Sequence, residues 1–248
     1  AVSHANKSNK DPHSTFDHSL RTLENSLDVC RKNKTHLIYF SSSMVYGNFK
    51  SDEVDEKYNC EPLGIYGALK YGSEKIIIGY NQTFDLPYTI IRPSALYGER
   101  CISRRVGQIF IENSLFGKEI VMADNGKETL DFTYIDDIVR GIKWVILNPS
   151  KATQGNNAKL KPSTSSAPYR IFNLGNNQPV SLENFINAIE VSTGKKAIKE
   201  YLPMQPGDVK KTFANIDKAG ESLGFIPSTS IEEGIKKFVA WYIKYYER

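Results

Sequence analysis

Two short apolar runs constrain this chain more than any other feature. "THLIYF" (35–40) and "YTIIRPS" (88–94) are too short and too continuous for surface helices, and the second is rich in β-branched residues and stopped by proline. Between them lies "YGALKYGSEKIIIGYNQTF" (66–84), which reads as a helix. Strand, helix, strand is a βαβ unit, which places the two strands parallel and central in a sheet. The expected fold class is therefore α/β.

The flanking segments fit that frame. Residues 14–33 read as an amphipathic helix, with Ser14 as N-cap and Phe16, Leu20, Leu23, Leu27 and Cys30 along one face. Downstream, 105–117 reads as a helix ended by Gly117, and "EIVMADNGKETLDFTYI" as two short strands around a turn containing Asn-Gly. A further amphipathic helix is expected over 136–147, a strand at "YRIFNLG", and a Ser-capped helix ended by Gly194. The last helix, about 231–246, should bury Ile231, Ile235, Phe238, Trp241, Tyr242 and Tyr245. Residues 148–168 are of low complexity and read as a surface loop.

Composition narrows the partners. The chain has 248 residues, and its net charge of +4 is spread along it, which suits anionic metabolites better than a nucleic-acid surface. No run approaches the ~18 consecutive apolar residues of a membrane span. Cys30, Cys60 and Cys101 are scattered and odd in number, as expected of reduced thiols in a cytoplasmic protein, and the four histidines have no metal-ligand spacing, so no metal site is expected.

The chemistry sits at the ends of the βαβ unit. Tyr66 and Lys70 are four residues apart and share a helix face. A phenol is a poor base at neutral pH, and a nearby cation favours its phenolate. Such a pair exchanges a proton with a substrate hydroxyl. Ser42, 24 residues upstream of Tyr66, lies at the carboxyl end of the first strand, where sites of parallel α/β sheets are found. Taken singly, Tyr-x-x-x-Lys is most often an exposed helix face and a serine run is most often a turn. Their order on one strand and the next helix is what raises them above chance.

"LIYFSSSMVYG", "EPLGIYGALKYGSEK", "RPSALYG" and "LDFTYIDDIVRGI" together resemble the extended short-chain dehydrogenases/reductases, the NAD-dependent nucleotide-sugar epimerases and dehydratases. The tail from "LPMQPGDV" onward is most similar to the UDP-glucuronate 4-epimerase branch. The resemblance implies the carboxyl part of a Rossmann-like doubly wound parallel sheet, plus a small α/β substrate-binding domain. Residues 1–100, with 130–147 and 169–175 returning to them, would form the first. Residues 101–129 and 176–248 would mainly form the second.

It also implies a cytoplasmic enzyme using NAD. Tyr66 takes the proton of the sugar 4-hydroxyl, Ser42 bonds the reacting oxygen, and Lys70 holds the nicotinamide ribose. Pro93 and Ser94 are the further cofactor contacts. Ser43, Ala95, Arg100, Arg104, Arg105, Gln205 and Asp208 are the substrate contacts. Ser43 has a second reading as a hydroxyl capping the strand end, and the arginines a second reading as solvated surface. The partner is a UDP-sugar, with no nucleic acid or membrane. Relatives that eliminate water carry Asp and Glu in place of Ser43 and Met44, and the decarboxylases a Glu in place of Met44. Neither position has a carboxyl group here, which leaves epimerisation.

Departures from the pattern matter too. The sequence contains no G-x-x-G-x-x-G turn for a pyrophosphate. The chain is therefore expected to lack the amino-terminal cofactor half, to bind NAD weakly alone, and to be inactive as it stands. An unpaired edge on "THLIYF" would invite a homodimer or a companion segment. Leu130 stands where relatives often carry an arginine, and Ala95 where they carry Asn or Thr. Both changes weaken the case for UDP-glucuronate against another nucleotide sugar. Two rival functions remain open: a non-catalytic remnant that holds a nucleotide sugar, and a dehydratase or NADPH-dependent reductase.

Overall fold

The computed structural model describes residues 5–49, 53–101, 105–149, 168–203 and 210–247. Its centre is a parallel sheet of β1 (Leu37–Phe40), β2 (Tyr88–Pro93) and β7 (Tyr169–Leu174), in the order β1-β2-β7. Leu37 registers with Tyr88, and Ile91 with Phe172. β2 is covered on both faces, which explains its unbroken apolar run. The two-residue period of a strand splits that run between two cores. Tyr88 and Ile90 face α2 (Pro12–Asn33) and α3 (Gly64–Phe84), packing with Leu23, Leu27 and Ile77. Ile91 faces the other way, toward Ile138 and Val145 of α5 (Ile135–Leu147) and Leu223 of α7 (Asp217–Leu223). A short helix, α1 (Ala5–Lys10), packs beside α2 and α3.

The remaining elements surround an aromatic core. β3 (Ala95–Tyr97) pairs in parallel with β6 (Phe132–Tyr134), and β4 (Glu119–Met122) with β9 (Ile198–Tyr201). β5 (Thr129–Leu130) runs antiparallel to β8 (Val180–Ser181). α4 (Val106–Phe116), α6 (Leu182–Thr193) and α8 (Ile231–Tyr245) close over them. Phe185 lies at the centre, stacked on Phe132 at 4.2 Å and edge-on to Tyr97 at 5.7 Å.

Several local expectations are corrected. The Asn-Gly segment is not a hairpin: β4, β5 and β6 each pair with a distant strand, and Asp124 and Asn125 hold left-handed backbone inside a 3-10 turn. Asp11, not Ser14, caps α2; its carboxylate accepts the Ser14 N–H at 3.0 Å, and Pro12 opens the helix. Phe16 is exposed and Thr15 is the buried residue of that turn. In α8, Tyr245 is exposed and Val239 is buried, because the helix turns its last face outward. Most of the low-complexity stretch, 150–167, lies outside the described residues. No helix among the described residues is long and apolar enough to cross a membrane.

Candidate active site

The carboxyl ends of β1 and β2 bring together residues distant in sequence. After Phe40 the backbone enters a 3-10 turn over Ser43–Tyr46. Ser42 caps that turn, its Oγ accepting the Met44 N–H at 3.2 Å. The same hydroxyl lies close enough to the Tyr66 phenol to favour its ionised form.

Two glycines allow this approach. Gly67, directly after Tyr66, faces the Met44 carbonyl, where a Cβ would lie only 2.7 Å from the oxygen. Gly47 holds a left-handed φ of 68° against the Glu61 carbonyl. Any side chain at either position would push α3 off the serine turn.

Lys70 is half-buried and turned inward. Its Nζ donates to the Phe40 carbonyl at 2.6 Å and lies 5.0 Å from the Tyr39 ring centre and 5.9 Å from that of Tyr66. Burial pulls its ammonium down to about 8, against the opposing charge of Glu74. Burial pushes the Tyr66 phenol up, while the Ser42 hydroxyl and the charge of Arg105 pull it back. Arg105, at the start of α4, thus joins Lys70 as a cation near the phenol.

Behind the site lies a buried polar network that sequence reasoning missed. Arg92 of β2 forks onto Glu74 of α3, Nε to Oε1 at 3.0 Å and Nη2 to Oε2 at 2.6 Å, both side chains almost fully buried. Its Nη1 donates to the Tyr46 hydroxyl at 2.9 Å, which donates to Asn173 Oδ1 at 2.6 Å. Asn173 closes the ring through its N–H to Glu56 at 2.8 Å. Burial opposes the Arg92 charge, but Glu74 overcomes it and holds the guanidinium ionised. A charged residue inside the β2 run, and a glutamate one turn beyond Lys70 on a helix, were the readable signals.

A second buried group is Asp131. Its carboxylate accepts from Ser94 Oγ at 3.0 Å and from the Asn176 N–H at 3.0 Å, and the backbone of Asn177 and Gln178 further favours its ionised form. Burial pushes it up to about 6. Gly175 passes so close that a Cβ would lie 2.2 Å from Asp131 Oδ2. Ser94, expected at the cofactor, thus directs its hydroxyl to Asp131.

The other expected residues are placed unevenly. Ser43 is buried in the 3-10 turn, and Pro93 ends β2. Ala95 and Leu130 pack against the aromatic core, so neither offers a polar group to a ligand. Arg100 takes a left-handed φ of 62°. Arg104, Gln205 and Asp208 lie outside the described residues.

Known proteins resemble this chain over most of its length. The profile of the NAD dependent epimerase/dehydratase family matches residues 1–160. Protein CapI of Staphylococcus aureus is 36% identical over 242 residues, covering 96% of this chain and 72% of that protein. UDP-glucuronate 4-epimerase 1 of Arabidopsis thaliana is 35% identical over 245 residues, covering 96% of this chain and 56% of that one. The crystal structure of UDP-glucuronic acid 4-epimerase from Bacillus cereus, in complex with UDP-glucuronic acid and NAD, superposes with a TM-score of 0.87 at 28% identity. It covers 99% of this chain and 74% of that one.

Proposed function

The chain belongs to the NAD-dependent epimerase/dehydratase family, and from that premise we propose that it inverts C4 of a UDP-linked sugar, with Tyr66 as the proton-exchanging group. The observation that carries this reading is the placement of Tyr66 beside Ser42 at the strand end, with the Lys70 Nζ 5.9 Å from the Tyr66 ring centre on the same helix. The donor set suits the nicotinamide-ribose end of NAD. The Lys70 ammonium and the Tyr66 phenol lie near the end of β1, and the next residue, Ser41, buries an Oγ with no partner among the described residues. When bound, NAD supplies the hydride acceptor and donor for a change at carbon.

The chain's own residues do the rest. Tyr66 Oη accepts the proton of the sugar 4-hydroxyl and later returns it. Ser42 Oγ holds that oxygen in line, and Arg105 favours the ionised phenol. Lys70 holds the ribose hydroxyls. Met44 is half-buried, and it has no proton to exchange. Dehydration and decarboxylation would need a carboxyl group at that place, so epimerisation is the reading that fits. The relatives named for UDP-glucuronate support a uronate substrate, whereas Leu130 and Ala95, both turned into the aromatic core, favour a sugar needing fewer polar contacts.

The test is conversion of a panel of UDP-sugars, with NAD supplied, by this chain joined to a relative's glycine-turn unit. Tyr66→Phe is expected to lower turnover at least tenfold, about 1.4 kcal/mol of barrier. A smaller loss would remove Tyr66 from the proton step.

A further inference from the structure

We propose that Tyr39 is a positioning residue for Lys70, its ring face and the neighbouring Phe40 carbonyl forming a seat for the ammonium. The inference rests on the reading of Lys70 as the working cation of the site. Tyr39 is the third residue of β1, and Lys70 meets it across the strand–helix packing. The Nζ lies 5.0 Å from the Tyr39 ring centre, within the roughly 6 Å over which a ring face attracts a cation. The adjacent Phe40 carbonyl accepts from the same Nζ at 2.6 Å.

The ring is itself held in place. It packs beside Ser73, which is almost fully buried on α3 one turn beyond Lys70 and lines the same small gap. Strand and helix thus meet at the ring, whose face is turned to the lysine. Burial pushes the Tyr39 phenol up to about 12, so it meets the ammonium as a neutral ring. A gap of about 10 Å³ separates these groups from Thr15 and Ser19 of α2, which bring no charge.

Among the described residues, few charged groups act on Lys70. Glu74 raises its proton affinity and Arg105 lowers it; Tyr39 and Tyr66 are the titratable phenols beside it. Burial works against the ammonium, so removing the aromatic face should make its proton easier to lose. The consequence for the site is a lysine held charged and oriented before any ligand arrives.

Competitive acetylation of the unliganded 248-residue chain between pH 6 and 11, with Lys70 followed by mass spectrometry, reads its proton affinity without cofactor or sugar. The unaltered chain is expected to titrate near 8. Tyr39→Leu should lower the proton affinity about three- to tenfold, roughly half to one pKa unit. Tyr39→Phe, which keeps the ring, should stay within twofold of the starting chain. If Tyr39→Leu fails to fold, pentafluorophenylalanine at position 39 keeps the shape while reversing the ring's charge distribution, and the same fall is expected against Tyr39→Phe. A titration unchanged by loss or reversal of the ring would overturn the proposal, as would a rise toward the ordinary lysine value, which would make the ring only a barrier to water. A failed Tyr66→Phe turnover test would overturn the proposed reaction and leave this titration intact.

Discussion

The sheet end and the aromatic core are held together by different physics. Around β2, contacts are directional: Arg92, Glu74, Tyr46, Asn173 and Glu56 meet through buried hydrogen bonds, each with one acceptable geometry. Around Phe185, contacts are ring on ring, with Phe110, Phe132 and Tyr97 at 4.2 to 6.5 Å. Packing tolerates small adjustments that a bidentate ion pair does not. The candidate site residues Tyr66, Ser42 and Lys70 sit on the directional side, beside the network. The aromatic side supplies bulk stability and walls.

The largest effects should come from single cuts on each side. Phe185→Ala should cost about 3–5 kcal/mol in urea unfolding, from lost transfer energy and the cavity left behind. Glu74→Leu should cost a similar amount, about 3–5 kcal/mol, because Arg92 is left charged and buried. The two regions separate in the repair. Adding Arg92→Met to Glu74→Leu should recover most of the loss, since two apolar side chains then replace a pair. If the double variant is no more stable than the single one, the network is more than a charge pair.

Asp131 gives a smaller effect that depends on pH. Its ordinary value is 3.8 and its folded value about 6, so the unfolded chain ionises first. The stability linked to this group is fully present below 3.8 and is lost as pH rises through about 6. The loss should amount to about 2–3 kcal/mol. Thermal unfolding followed from pH 3.5 to 7, with Asp131→Asn subtracted, should show that fall; a flat difference would mean the surrounding N–H groups fully stabilise the anion.

The smallest effect is at Gly67. Alanine gains up to about 1 kcal/mol of helix propensity over glycine. Against this, its Cβ would meet the Met44 carbonyl at 2.7 Å and Pro62 at 3.1 Å. Gly67→Ala should therefore lose about 1 kcal/mol net in urea unfolding, and a gain would show that the serine turn yields easily.

Much of this was legible in the chain. The βαβ unit, the helix ends at Gly117 and Gly194, the Ser181 cap, and the shared helix of Tyr66 and Lys70 all follow from local pattern. Local pattern also misled: Phe16 continues the apolar stripe of α2 yet is exposed, and Asn125-Gly126 imitates a hairpin turn whose strands pair elsewhere. The buried network gave only the hint of a charge inside an apolar strand, because its five members come from five separated segments.

Sequence periodicity and residue chemistry by themselves determined the class of fold and the shared face of Tyr66 and Lys70, since side chains four apart on a helix share a face wherever the helix goes. The tertiary structure alone decided that Arg105 stands near Tyr66, that Lys70 rests on Tyr39 and Phe40, and that Asp131 takes the Ser94 hydroxyl. Those outcomes depend on distances between elements, set by close approaches such as Gly67 against Met44 and by how deeply each charge is buried. Neither quantity is a property of any local stretch of the chain.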